Sequence, residues 1–270
     1  MRHAGRAMSV CRVFFVAASV GRYKDVLGEW DVMVQDQTKE TRRVQDELGD
    51  AYTMPIRMYG VVEESIVDGP GLRFSVFVQG CSHHCPGCHN QESQPHRGGY
   101  LSTVGELCER IAGSTSISGV TLTGGEPFEQ PEACLAIARW CKARGLSVWV
   151  YSGYVYEDIV AGKVANRALS SVAACGGLDC ARRDFQPTQK EDGASACEAD
   201  SAYHAVRALL DVCDVLVDGP FVLAKRSYDL RWKGSSNQRV IELGKTRRNG
   251  RVSLWWDQDE AAVFSVPENW

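Results

Sequence analysis

The chain has 270 residues, of which 44% are hydrophobic and 24% charged, and its formal net charge is −4. This composition is typical of a globular protein with one or two domains, and the absence of a dense basic stripe argues against a nucleic-acid partner. The 11 cysteines are an odd number scattered through a mid-sized chain, unlike a small secreted disulfide scaffold. We therefore predict a reduced, cytoplasmic protein in which some of the thiols bind metal.

Residues 1–57 carry no recognisable motif. The apolar stretch 10–20 is interrupted by Arg12 and falls short of the roughly 20 residues that a membrane helix needs, although a poor signal peptide stays an alternative. We interpret residues 1–57 as an extension that is disordered or precedes the true start, with Met54 and Met58 as candidate starts. The extension is therefore predicted to be dispensable.

From residue 59 onward, strand and helix patterns alternate along the chain. Five segments have the composition and flanking glycines of buried strands: 73–80, 119–125, 146–154, 214–221 and 238–243. Three segments have helical periodicity: 102–113, 130–145 and 203–210. A capping-box pattern at Thr103 and Glu106 marks the start of the first helix, and Pro131 fits the first turn of the second.

This alternation predicts a parallel sheet with right-handed crossovers. Polar or glycine-rich segments follow the first four strands in turn: GCSHHCPGCHN, GGEP, SGY and DGPF. Active sites of parallel α/β proteins lie at the carboxyl ends of the strands, so four such segments on one edge indicate an enzyme. Between residues 161 and 201 the pattern breaks, which predicts an inserted surface excursion. Its cysteines are candidates for a second metal site: Cys175, Cys180 and Cys197.

The loop after the first predicted strand places Cys81, Cys85 and Cys88 at spacings of four and three residues. Thiolates suit zinc and iron–sulfur clusters. A structural zinc site would need a fourth ligand. Three histidines of the loop could supply that ligand, so zinc stays an alternative: His83, His84 and His89. A four-iron cluster with three cysteine ligands instead leaves one iron open to a substrate or cofactor.

The C-x3-C-x2-C loop, together with TGGEP at 123–127, resembles the radical S-adenosylmethionine enzymes. The resemblance implies an α/β fold, a partial and open (β/α) barrel with a mostly parallel sheet. It also implies a [4Fe-4S] cluster on the three cysteines and S-adenosyl-L-methionine, cleaved reductively to a 5′-deoxyadenosyl radical that abstracts hydrogen. The cofactor-binding residues that it implies are Gly87, Cys88, His89, Gly124, Gly125 and Glu126.

Within that family, the segment SIVDGPGLRFSVFVQGCSHHCPGCHN at 65–90 resembles the opening of glycyl-radical-enzyme activases. Gly87 before the third cysteine, WVYSGY at 149–154 and RWKGSSNQRVIEL at 231–243 favour the activases of anaerobic ribonucleoside-triphosphate reductase. The implied partners are that reductase and a one-electron donor such as flavodoxin or ferredoxin, without a membrane or nucleic acid. Two alternatives stay open: activation of another glycyl radical enzyme such as pyruvate formate-lyase, and a non-catalytic zinc or iron–sulfur protein.

The resemblance predicts a radical S-adenosylmethionine domain at 58–243 with the insert 161–201, followed by a tail at 244–270. Several other side chains could contact the cofactor or the partner, or could instead serve only a turn, the core or an exposed edge. They are Asp68, Arg73, Tyr154, Asn237, Gln238 and Arg239. Three further cysteines are predicted to be packed thiols on helix faces: Cys108, Cys134 and Cys141.

Overall fold

The structure is a computed structural model that describes residues 38–164 and 196–255. The chain divides into two compact units, Met1–Glu47 and Leu48–Trp270. The described part of the first unit is helical and belongs to α1, residues 38–48.

Most of the predicted insert lies outside the described residues. Cys175 and Cys180 fall there, as does the side chain of Cys197, so the second metal site stays a prediction.

The second unit is built on one seven-stranded sheet. In chain order its strands are β1 (Pro55–Ser65), β2 (Arg73–Val78), β3 (Tyr100–Thr103), β4 (Gly119–Gly124), β5 (Ser147–Tyr151), β6 (Val215–Asp218) and β7 (Arg239–Glu242). Across the sheet the order is β3-β1-β2-β4-β5-β6-β7. The four central strands are parallel and the flanking pairs are antiparallel. Because β3 and β7 do not pair with each other within the described residues, the sheet is open. The predicted α/β fold with a partial, open barrel and a mostly parallel sheet is confirmed.

The helices connect and cover these strands. They are α2 (Val104–Gly113), α3 (Pro131–Ala143), α4 (Tyr156–Val160), α5 (Ala196–Val212) and α6 (Leu243–Asn249). The predicted capping box is present, since Glu106 N–H donates to Thr103 Oγ1 and Thr103 N–H donates to Glu106 Oε2, both at 3.1 Å. Helix α3 packs against α2 and α5. Within the described ranges, no helix is both long enough and apolar enough to cross a membrane.

The two faces of the central sheet differ in chemistry, because alternate residues of a strand point to opposite sides. One face is mostly apolar and buried, through Phe74, Val76, Val120, Leu122, Val148, Val150 and Leu216. The opposite face includes polar side chains, among them Ser75, Thr121, Thr123 and Tyr151. An apolar face suits helix packing, whereas polar side chains suit a ligand-binding interior, so the site is expected on the second face.

Strands β1 and β3 were not predicted from the sequence. The burial pattern of β1 alternates at its start, where Ile56 and Met58 are buried and Pro55 and Tyr59 are exposed. This period of two is the local signal that could have identified the strand. Since β1 begins at Pro55, the predicted domain start at residue 58 falls inside a paired strand, and we infer that the folded domain begins before it.

A chain that starts at Met58 is expected to be less stable than one that starts at Met54. Starting at Met58 removes three of the four pairs between β1 and β3, the buried Ile56 and two hydrogen bonds between the Arg57 backbone and the Gln130 side chain. Burial of one isoleucine contributes about 1.5–3 kcal/mol and each hydrogen bond about 1 kcal/mol. Urea unfolding of both chains measures the difference, and equal midpoints would contradict it.

Candidate active site

The cysteine loop follows β2 and is tied to the segment after it by backbone hydrogen bonds. Gly80 N–H donates to Ser93 C=O at 2.7 Å, and Cys81 N–H donates to Gln94 C=O at 2.9 Å. At the other end of the loop, Cys88 N–H donates to Cys85 C=O at 3.2 Å. These bonds bring the three cysteines to one side of the sheet, where each is partly exposed.

A cavity of about 510 Å³ opens at the carboxyl ends of the parallel strands. All three cysteines of the loop line it, together with other residues that the sequence singled out. These are His89, Gly124, Gly125, Glu126, Asp68 and Gln238. Gly87 is not among the lining residues, and its backbone instead lies against Leu223. The structure therefore brings the predicted cysteine loop and the GGEP segment to one cavity.

The two glycines of GGEP allow this segment to pack directly on the end of β2. Gly124 has a φ of +93°, and a Cβ there would lie 2.7 Å from Phe77 Cα. At Gly125 a Cβ would lie 2.2 Å from the carbonyl oxygen of Gly80. Because both contacts are with backbone, the neighbours have little freedom to move aside. The glycines thus hold the GGEP segment against the cysteine loop.

Glu126 joins three loops through its carboxylate, which is 1% exposed. The carboxylate accepts hydrogen bonds from Phe128 N–H at 3.1 Å, Gly153 N–H at 2.8 Å and the Ser152 hydroxyl at 3.0 Å. It also pairs with His83 Nε2 at 3.3 Å. With its carboxylate engaged in this way, Glu126 orients the segment, and its binding of a cofactor stays a prediction.

His83 links the cysteine loop to the end of β5. Its ring lies 4.3 Å from the Tyr154 ring, centroid to centroid. A Cβ on Gly153 would lie 2.4 Å from His83 Cδ2, so glycine is required for the ring to fit. Since this imidazole pairs with Glu126, its arrangement favours a structural role over that of a fourth zinc ligand.

Burial affects the thiols of the loop. Burial, with a smaller contribution from the Glu126 carboxylate, raises the pKa of Cys81 to about 12, and burial also raises the pKa of Cys85. Cys88 Sγ accepts a hydrogen bond from Asn90 N–H at 3.4 Å. Cysteines bind metal as thiolates, so iron has to displace the protons of the buried thiols.

The donor set fits an iron–sulfur cluster better than a single zinc ion. Zinc gathers its thiolates within about 2.3 Å of one centre, whereas a four-iron cluster binds each thiolate through a different iron. Three thiols around an open cavity match the second arrangement.

Arg239 was one of the residues that could contact the cofactor or the partner, or serve only an exposed edge, and the structure places it in ion pairs beside β6 and β7. Its guanidinium bonds Asp218 Oδ1 at 3.0 Å and Glu157 Oε2 at 2.7 Å, and it does not line the cavity. Asn237 is also outside the lining and donates from Nδ2 to Pro220 C=O at 2.8 Å. Both residues therefore fix the connection between β6 and β7.

Arg73 likewise serves the fold. It is fully buried and donates to Thr121 Oγ1 at 2.7 Å and to Val120 C=O at 2.6 Å, at the opposite end of the strands from the cysteine loop. Asp68 does line the cavity, where its carboxylate accepts from the Ser65 and Ser75 hydroxyls at 2.6 and 2.7 Å.

Lys233 is a cavity residue that sequence reasoning missed. Among the described residues that line the cavity, it is the only lysine or arginine. Its Nζ donates to Gln238 C=O at 3.2 Å, and burial lowers its pKa. Lys233 gives the cavity a cation that suits an anionic ligand group. It lies inside the segment RWKGSSNQRVIEL, which was recognised from the sequence, but no role had been assigned to Lys233 itself.

The cysteines predicted to be packed are buried as expected. Cys108 lies in α2, Cys134 and Cys141 lie in α3, and all three are 0% exposed. Burial raises the pKa of Cys141 to about 12, so this thiol is inert at neutral pH.

The fold and the thiol-lined cavity define an iron–sulfur protein, and comparison with known families agrees. The chain belongs to the family described as "4Fe-4S single cluster domain", which matches residues 67–177 and 192–241.

Individual relatives are activating proteins. One relative is the anaerobic ribonucleoside-triphosphate reductase-activating protein of Enterobacteria phage T4, which is 41% identical over 100 residues. The match covers 34% of this chain and 64% of the phage protein, which is less than two thirds of its length. The Salmonella typhimurium protein of the same name is 27% identical over 66% of this chain and 93% of its own length. The pyruvate formate-lyase-activating enzyme of Clostridium pasteurianum is 36% identical over 38% of this chain and 45% of that enzyme.

Proposed function

We propose that the chain is an activase that places a glycyl radical on an anaerobic ribonucleoside-triphosphate reductase, with a [4Fe-4S] cluster and S-adenosyl-L-methionine. The observation that carries this proposal is that three cysteines and the GGEP glycines meet at one cavity. The names of the phage T4 and Salmonella relatives support the reductase as the target.

Cys81, Cys85 and Cys88 would hold the cluster and leave one iron without a protein ligand. When bound, the cluster would supply one electron that cleaves S-adenosyl-L-methionine, and the radical so formed would take a hydrogen atom from a glycine of the reductase. Gly124 and Gly125 line the cavity wall, where the lack of side chains would let the cofactor approach the backbone closely. Lys233 provides a positive charge for the cofactor's carboxylate.

Aromatic side chains would keep water from the reacting groups. Phe77, Tyr151, Phe221 and Trp232 all line the cavity. Burial raises the pKa of Tyr151, so its hydroxyl stays neutral and adds no charge beside the cofactor. A glycine is a suitable target in such a confined site, since it has no side chain and its flanking amides stabilise the radical.

The proposal is tested by anaerobic incubation of the reconstituted protein with S-adenosyl-L-methionine, dithionite and the reductase. The expected result is the glycyl doublet in the electron paramagnetic resonance spectrum of the reductase. A doublet only with pyruvate formate-lyase would favour a second candidate function, the activation of pyruvate formate-lyase, which the Clostridium pasteurianum relative supports. A colourless, zinc-loaded protein that leaves S-adenosyl-L-methionine intact would contradict both functions.

A further inference from the structure

A second buried carboxylate, Glu129, lies directly behind the start of the cysteine loop. It ends the short 3-10 helix Pro127–Glu129 and is 2% exposed. Its Oε1 accepts a hydrogen bond from Ser82 N–H at 2.9 Å, and Ser82 follows Cys81 in the chain. Glu129 does not line the cavity, so it acts on the loop from outside the ligand site.

The other carboxylate oxygen is held by a histidine that follows the loop. His96 Nε2 lies 2.8 Å from Glu129 Oε2. The same imidazole packs against Gly80, where a Cβ would lie 2.9 Å from His96 Cδ2, and Gly80 has a φ of +104°. Glycine at this position thus permits both the turn into the cysteine loop and the approach of His96. The pair therefore holds the loop at its first turn.

Glu129 also affects Cys81 electrostatically. The Glu129 carboxylate is buried and bonds the backbone amide next to Cys81, so its charge acts at the first cysteine of the loop. The same negative charge would oppose addition of an electron to a cluster bound there, because the reduced cluster is the more negative form.

We propose that Glu129, held by His96, is a positioning residue for the iron–sulfur cluster. Its hydrogen bond fixes the backbone beside Cys81, and its charge lowers the reduction potential of the cluster. The inference rests on the cluster of the proposed function but not on the identity of the protein partner. It assigns separate effects to the hydrogen bond and to the charge, so two substitutions can separate them.

Glu129→Gln keeps the size of the side chain and an oxygen that accepts from Ser82 N–H, but removes the charge. Its cluster is expected to bind normally and to show a more positive midpoint potential for the couple between the [4Fe-4S]²⁺ and [4Fe-4S]⁺ states. Glu129→Met keeps approximate size but offers Ser82 no comparable acceptor. Its cluster is expected to lose iron to a chelator several-fold faster than the wild type.

The measurements are redox titration followed by electron paramagnetic resonance, and the rate of iron release to a ferrous chelator, both on the reconstituted full chain. Glu132→Gln is the matched control, because Glu132 is an exposed carboxylate in the first turn of α3. This control is expected to leave both quantities unchanged. An unchanged potential in Glu129→Gln, or an unchanged release rate in Glu129→Met, overturns the proposal. Neither measurement uses the reductase, so failure to form a glycyl radical would contradict the proposed function without affecting this result.

Discussion

Replacing Cys85 by serine is expected to reduce bound iron to about a tenth of the wild-type content or less, since a thiolate ligand to the cluster is lost. Cys85 lines the cavity with Cys81 and Cys88, and a cluster with one open iron has no spare protein ligand to replace it. Cleavage of S-adenosyl-L-methionine is expected to be lost with the cluster. Iron analysis and the visible absorbance of the cluster measure the first effect, and chromatography of the cleavage products measures the second.

Cys134→Ala is the control for this substitution. Cys134 is fully buried in α3 and does not line the cavity, so its loss is expected to lower stability without lowering iron content. Full iron content and full cleavage in Cys85→Ser would show that this cysteine is not a ligand.

The second large effect is expected from Gly125→Ala, which adds one methyl group between the GGEP segment and the cysteine loop. The new Cβ would lie 2.2 Å from the carbonyl oxygen of Gly80, and a contact this short forces the two segments apart. Overpacking of this kind costs about 1–3 kcal/mol, and a backbone neighbour puts the cost at the upper end. We also expect binding of S-adenosyl-L-methionine to weaken strongly, because the glycine backbone forms part of the cavity wall.

Gly113→Ala serves as the matched control, since a Cβ at Gly113 would have no neighbouring atom within 4 Å. Gly113 is the last residue of α2, where alanine is expected to be neutral or to stabilise by up to about 1 kcal/mol. Chemical unfolding and calorimetric binding of the cofactor by the reconstituted protein test both variants. Equal stability and affinity for Gly125→Ala and the wild type would contradict the prediction.

Short-range patterns were sufficient to predict much of the fold and the main site. The central strands, the capping box of α2 and the proline start of α3 depend on residues that are close in sequence. The cysteine loop and GGEP were also recognisable locally. Once parallel strands were predicted, their carboxyl ends had to meet at one edge, so the meeting of these two motifs followed.

The antiparallel strands β1 and β3 could not be predicted from short-range patterns in the same way. Strand β1 has only a brief alternation at Ile56 and Met58, and much of the rest is partly exposed. Such a strand is stabilised by pairing with β2 and β3 more than by its own composition. The prediction that residues 1–57 are dispensable therefore treated a paired part of the strand as an extension.

The sequence by itself determined which residue types could bind a cluster and roughly where they lie, because thiol chemistry and spacing are properties of the chain. Only the tertiary structure decided how the other polar residues are used. Arg239 looked available to a ligand until Asp218 and Glu157 were found beside it. Glu129 and His96 are 33 residues apart and pair only because two loops pack together. Such partners depend on strand order and loop packing, which no local pattern specifies.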